Sequence, residues 1–173
     1  MSAQRGLVLV NTGNGKGKST AAFGIAMRAA GQDLRVSIIQ FIKGKWKTGE
    51  METARRLGLE FMPMGKGFTW ESKNLEEDKA LMRNAWVVAS EKILSGKYDL
   101  IILDEINYVL GYAHIPVDEV VRTLLSRPGH VHVVLTGRNA PEEIISIADC
   151  VTEMREVKHP YRNGMPAQRG IDF

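Results

Sequence analysis

Gly13-Asn14-Gly15-Lys16-Gly17-Lys18-Ser19-Thr20 brings together the residue types that can hold a polyphosphate. Glycines tolerate positive φ, so successive backbone N–H groups can turn towards one anion. Lys18 carries a charge suited to phosphate oxygens, and the Ser19 hydroxyl is placed to ligate Mg²⁺. The apolar run Leu7-Val8-Leu9-Val10 precedes this stretch and an alanine-rich segment, Ala21 to Gly31, follows it. Strand, glycine-rich turn and helix form the context that gives such a motif meaning. The helix start adds unpaired N–H groups and the positive end of its dipole. One position departs from the usual pattern: Thr12 stands five places before Gly17, where glycine is usual, and Gly13 follows it. Residues Gly13 to Thr20 are therefore expected to bind the phosphates of a nucleotide.

A second set of charged groups belongs at the same edge. Leu100-Ile101-Ile102-Leu103 ends in Asp104-Glu105, an apolar strand with two carboxylates at its carboxyl end. In nucleotide-binding α/β folds that end faces the ligand crevice, where an acid holds Mg²⁺ directly or through water. Spacing leaves open which of Asp104 and Glu105 touches the metal. Asn107 either contacts the ligand or caps a helix start. Gln40-Phe41-Ile42-Lys43-Gly44 closes another strand at this edge and places Lys43 there, while Lys45 and Lys47 read as a solvated loop. Thr136-Gly137-Arg138-Asn139 ends a further strand, with Arg138 set to meet a phosphate or pair with an acid. In Gly65-Lys66-Gly67-Phe68-Thr69-Trp70, two large aromatics occupy a connection that is normally small and polar. Phe68 and Trp70 either fold over a broad apolar ligand or pack on the sheet edge.

The elements that must position these groups follow from periodicity. Strand-length apolar runs lie at 6–11, 36–41, 59–64, 100–103 and 131–135, with a weaker one at 151–154. Helical patterns lie at 18–30, 50–57, 75–94, 117–125 and 141–148. This alternation predicts one α/β domain, a mostly parallel sheet with helices on both faces. Gly31 reads as a helix stop, Asn74 with Glu77 as a capping pair, and Pro141 as a first-turn residue with Asn139 as its cap. Leu81, Ala85, Val88 and Ile93 share one face of the third helix and are expected in the core.

Composition narrows the function classes. At 173 residues the chain is long enough for one well-buried core. The net charge of +3 is small and part of it sits near the phosphate loop, so an anionic ligand explains it without nucleic acid. A single cysteine, Cys150, excludes an internal disulfide and suits a reducing compartment; its apolar neighbours predict a buried, inert thiol. No secretory signal is evident, and nothing approaches the roughly 18 apolar residues of a membrane span. A cytoplasmic enzyme is expected.

Taken in order, TGNGKGKST, QFIKG with GE, GFTW, ILDEIN, LTGRNAP, ADCVTEM, KHPY and the terminal AQRGIDF resemble the ATP:corrinoid adenosyltransferases of the P-loop type, from about Gly6 to Phe173. The resemblance implies a RecA-like P-loop sheet, a homodimer, Mg²⁺, and transfer of the 5′-deoxyadenosyl group of ATP to the cobalt of a reduced corrinoid with triphosphate released. It implies that Gly13–Ser19 hold the triphosphate, with ATP reversed along the loop relative to other P-loop proteins. Ser19 and Glu105, with Asp104 as a further candidate, would hold the metal. Phe68 and Trp70 match aromatics that crowd the lower corrin face and favour loss of the lower axial ligand, which eases reduction of Co(II) to Co(I). A reduced flavin or flavoprotein is implied as electron donor, and the tail from Lys158 as part of the site. Two departures stand out: longer relatives carry an N-terminal helix where Met1 to Arg5 precede the first strand here, and Ser19 replaces the more usual Thr. The loop and the acids alone also suit a phosphoryl-transfer enzyme or ATP-driven switch, although no Asn-Lys-x-Asp guanine signature is present.

Overall fold

The apolar runs become six strands, β1 (Val8–Thr12), β2 (Val36–Gln40), β3 (Glu60–Pro63), β4 (Leu100–Asp104), β5 (His132–Thr136) and β6 (Cys150–Glu153). Between them lie α1 (Lys18–Ala30), α2 (Gly49–Arg56), α3 (Leu75–Ser95), α4 (Ile106–Gly111), α5 (Val117–Leu125) and α6 (Glu142–Ile147), and a 3₁₀ turn covers Pro160–Asn163. The computed structural model of the chain describes residues 5–44, 48–67 and 75–172. All strand pairs are parallel, in the order β3-β2-β4-β5-β1-β6. The expected α/β P-loop fold is borne out.

Alternation along each strand divides the core in two. Val8, Val10, Ile101, Leu103, Val133 and Leu135 face one side, where α3, α4, α5 and α6 contribute Trp86, Val109, Leu124 and Ile144. Leu100, Ile102 and Val134 face the other, against Ala22, Phe23, Ala26 and Ala29 of α1. On this second side a cavity of about 400 Å³ opens between α1 and α2, lined by Phe23, Met27, Ala54 and Phe61, with Ile171 from the tail.

Register carries this order to the ligand edge. Gln40 stands opposite Asp104, Leu103 opposite Leu135, and Asn11 opposite Thr136. The strand ends thus set Gln40, Asp104, Thr136 and Asn11 in one row across four adjacent strands, all four buried. A polar row caps an otherwise apolar sheet.

Several local expectations change. Helix α4 escapes the periodicity because one and a half turns are too short to show it; it starts at Ile106, with Glu105 rather than Asn107 at its cap position. Pro141 is the cap residue of α6, not its first-turn residue, and Asn139 instead takes a positive φ of 54° in the preceding loop. Gly31 ends α1 in a right-handed conformation, and Asp33 supplies the positive φ of that turn. Asn74 lies outside the described residues. The buried stripe of α3 is Met82, Ala85, Trp86, Ala89 and Ile93, with Leu81 and Val88 only half-buried. Cys150 is exposed, contrary to expectation, because β6 is an edge strand and its apolar sequence neighbours do not cover it.

Trp86 joins α3 to α5: its ring is fully buried and its Nε1–H donates to Glu119 Oε1 at 2.7 Å. Trp86→Ala is expected to lower the free energy of unfolding by about 3–5 kcal/mol, and a loss below about 1 kcal/mol in a urea titration would refute this packing.

Candidate active site

The phosphate loop joins the end of β1 to the start of α1. Thr12, the residue out of pattern, is the last of β1: it is buried, opposite Glu153 of β6, and its Oγ1 accepts from the Ala140 N–H at 3.1 Å. Gly13 then makes the turn, with φ of 92° and a would-be Cβ 2.6 Å from the Met154 carbonyl oxygen. Glycine at 13 thus replaces the glycine missing at 12. The Gly15 N–H donates to that same Met154 carbonyl at 2.6 Å, so the chain after β6 forms the floor of the loop. Helix α1 has no side-chain cap at Gly17, and its first turn keeps its N–H groups for a ligand.

Lys18 is buried, and its Nζ donates to the Gly15 carbonyl at 2.6 Å. Asn11 Nδ2 donates to the Lys18 carbonyl at 3.2 Å and ties the helix start back to β1. Burial lowers the Lys18 pKa, Glu105 raises it, and Arg138 lowers it further. An anion placed against Lys18 would relieve that destabilised charge. Lys16 is exposed and ion-paired with Asp172 of the tail. Ser19 is half-buried and Thr20 exposed on the first turn of α1, and Asn14 is exposed on the loop.

The two acids have different situations. Asp104 is fully buried, and both its oxygens are engaged: Oδ2 accepts from Gln40 Nε2 and Oδ1 from Thr136 Oγ1, each at 2.8 Å. Glu105 takes a left-handed backbone conformation, φ 65° and ψ 18°, while its N–H donates to Thr136 Oγ1 at 2.9 Å. Its Oε2 is buried without a hydrogen-bond partner. Burial, then the Asp104 charge, pushes Glu105 up to about 7 against the pull of Lys18, Lys43 and Arg138. Three cations act electrostatically on one carboxylate. An orphaned, cation-flanked oxygen of this kind suits a metal ligand.

Lys43 is half-buried just beyond β2, in a segment bonded to the chain after β3 by Met64 N–H to Gln40 O at 2.9 Å and Gly67 N–H to Ile42 O at 3.0 Å. Arg138 is exposed on the loop after β5. Gly137 beside it has φ of 127° and no room for a Cβ, which would lie 2.9 Å from Asn107 Cβ. Asn107, fully buried in α4, donates from Nδ2 to the Gly137 carbonyl at 3.1 Å and keeps an unpartnered Oδ1. The structure therefore brings together Gly13–Thr20, Lys43, Asp104, Glu105 and Arg138, while Phe68, Trp70, Lys45 and Lys47 lie outside the described residues. Sequence reasoning missed the linking roles of Gln40, Thr136 and Asn107. For Gln40 and Thr136 the signal was a polar residue ending an apolar strand; Asn107, inside α4, carried no such signal. Among the described residues no cluster of three His, Cys, Asp or Glu side chains forms a metal cage.

Fold and loop together define a nucleotide-binding α/β protein of the P-loop type. Residues 4–173 match the family described as ATP:corrinoid adenosyltransferase BtuR/CobO/CobP. The corrinoid adenosyltransferase CobA of Salmonella typhimurium is 44% identical over 170 residues, 98% of this chain and 87% of that protein. A Sinorhizobium corrinoid adenosyltransferase is 47% identical over 174 residues, 98% of this chain and 81% of that protein. Among solved structures, domain III of the Thermotoga maritima replication initiation protein DnaA aligns over 87% of this chain and 55% of that chain, with a TM-score of 0.43 and 15% identity, too distant to bear on function. The chain belongs to the ATP:corrinoid adenosyltransferase family, and its reaction is transfer of the adenosyl group of ATP to a corrinoid. Phosphoryl transfer is not favoured.

The raised Glu105 pKa has a thermodynamic consequence. The ordinary carboxyl value is 4.5 and the folded one about 7, so the folded state holds a proton that the unfolded chain has released. This contribution to stability is fully present below about pH 4.5 and is lost as pH rises through about 7. In the ligand-free protein, unfolding free energy is expected to carry a downward component across that window, and Glu105→Gln, neutral throughout, to remove it. Equal pH profiles for wild type and variant, by chemical denaturation, would contradict the burial described.

Proposed function

We propose that ATP lies with its triphosphate on Gly13–Ser19 and presents C5′ to the Co(I) of a reduced corrinoid. A Co–C bond forms with the metal's electron pair, the C5′–O bond breaks, and triphosphate leaves with the bonding pair. No proton moves in this substitution, so the site needs charge rather than a general base. The observation that carries the reading is the surplus of cations: Lys18, Lys43 and Arg138 all act electrostatically on Glu105. Once Glu105 and the Asp104 charge behind it are matched, one positive charge is left for a leaving group that gains negative charge.

The residues fit Mg²⁺. Glu105 Oε2 is buried and unpartnered, whereas both Asp104 oxygens already accept hydrogen bonds. Glu105 with the Ser19 hydroxyl would hold the ion, and Asp104 would support Glu105 from behind. This matches the habit of Mg²⁺ to bind through one or two carboxylates plus substrate phosphates. When bound, the ion offsets charge on the triphosphate. Lys18 exchanges its bond to the Gly15 carbonyl for phosphate oxygens, and the loop amides other than that of Gly15, which is bonded to Met154, orient the chain of phosphates.

Phe68 and Trp70 are assigned to the lower corrin face on the family resemblance. The loop that carries them leaves from Gly67, whose backbone is bonded to Ile42 next to Lys43, which supports a place at the same edge. The tail is assigned to the site because Asp172 pairs with Lys16. A single domain, a homodimer, a cytoplasmic setting and a reduced flavin or flavoprotein as electron donor complete the reading, all resting on family membership. Among the described residues no helix is long and apolar enough to cross a membrane.

ATP, Mg²⁺ and chemically reduced cobalamin are expected to give the corrin spectrum of a Co–C product together with inorganic triphosphate; an unchanged spectrum, or ADP instead, would refute the reading. Lys18→Ala is expected to lower kcat/KM by at least about 10²–10³-fold with any reductant. Phe68→Ala combined with Trp70→Ala is expected to cost far more activity starting from Co(II) than from Co(I), and equal losses would show that these rings merely pack.

A further inference from the structure

Thr136 stands between the two acids, and its one oxygen serves both. Its Oγ1 donates to Asp104 Oδ1 at 2.8 Å and accepts the Glu105 N–H at 2.9 Å. The directions are not interchangeable. An ionised carboxylate only accepts and a backbone N–H only donates, so the hydroxyl proton must point at Asp104 and its lone pair at Glu105. Gln40 closes the other side of Asp104 through Nε2, which stops that carboxylate from rotating away. All three side chains are buried, and Thr136 and Asp104 are fully so.

The residue this chain of bonds controls is Glu105. Its positive φ is uncommon for a side chain of this size and is kept only where the surroundings impose it. The bond to Thr136 fixes the peptide that enters Glu105, and α4 begins directly after it. With the backbone turned this way, Glu105 keeps Oε2 buried and unpartnered among Lys18, Lys43 and Arg138. Hydrogen bonds arranged head to tail reinforce one another in a low-dielectric interior.

We propose that Thr136 is a positioning residue for the metal-binding carboxylate: through its two opposed hydrogen bonds it locks the Glu105 backbone to buried Asp104 and so aims the Glu105 side chain. The inference rests on the assignment of Glu105 to Mg²⁺, and the test separates the two. Mn²⁺ is titrated by electron paramagnetic resonance into protein saturated with ATP, without corrinoid, so that no turnover is involved. Thr136→Val, close in shape but without the hydroxyl, is expected to weaken Mn²⁺ binding by about 10–100-fold. Thr136→Ser is expected to restore it, and ATP binding in the presence of a chelator to stay near wild type in both. Glu105→Gln is run alongside. Weak Mn²⁺ binding in Glu105→Gln with normal binding in Thr136→Val overturns the positioning role and leaves the metal assignment standing. Normal binding in Glu105→Gln overturns the metal assignment and the positioning role with it. Equal weakening in Thr136→Val and Thr136→Ser also overturns the proposal, since the hydroxyl would not be the cause. If Thr136→Val fails to fold, Thr136→Ala is read against Thr136→Ser by the same criteria.

Discussion

A buried carboxylate holds the ligand edge together. Asp104 has no exposure to solvent, and an ionised group so placed is tolerable only when both oxygens are satisfied. Gln40 and Thr136 supply the two hydrogen bonds, one from each neighbouring strand. The requirement works in both directions. Strand register must put these three residues in one row, and once there they fix how the ends of β2, β4 and β5 stand relative to one another. What emerges from β4 next, Glu105, inherits that fixed starting point.

Charge balance follows from the same edge. Lys18, Lys43 and Arg138 all act electrostatically on the half-buried Glu105, and Lys18 donates to a carbonyl of its own loop. Burial disfavours the ammonium in this state. The ligand-free edge is therefore short of negative charge, with the first turn of α1 lacking a side-chain cap and a buried ammonium beside it. Preorganisation of this kind favours a substitution whose difficulty is the leaving group, because no reorientation is required as charge accumulates.

Much of this was legible in the sequence, and the exceptions share a cause. Local patterns gave α1 and α5 to the residue, and the strand ends to within two residues, because periodic segments report their own burial. Gly13–Thr20 and the Asp104-Glu105 pair were legible as chemistry because each sits within one contiguous motif. The linkage between Asp104, Gln40 and Thr136 was not, since it joins residues 64 and 32 positions apart and depends on strand order. For the same reason the spacing could not choose between Asp104 and Glu105: the difference lies in which of them its neighbours have already satisfied. Cys150 failed in the opposite sense, as apolar sequence neighbours on an edge strand do not amount to burial.

The segment after β6 shows why the phosphate loop alone identifies so little. β6 pairs with β1, so the residues that follow it must pass beneath the loop. Met154 offers its carbonyl to the Gly15 N–H and lies against Gly13, and Asp172 reaches Lys16. A glycine-rich turn of this kind serves many reactions, but its setting here is made by remote stretches of chain: Lys43 after β2, Arg138 after β5, and the tail. Of these the tail, together with GFTW, is where the family resemblance is most specific. The reaction class rests on the family match over residues 4–173, which outweighs the phosphoryl-transfer reading that the loop and acids alone would allow.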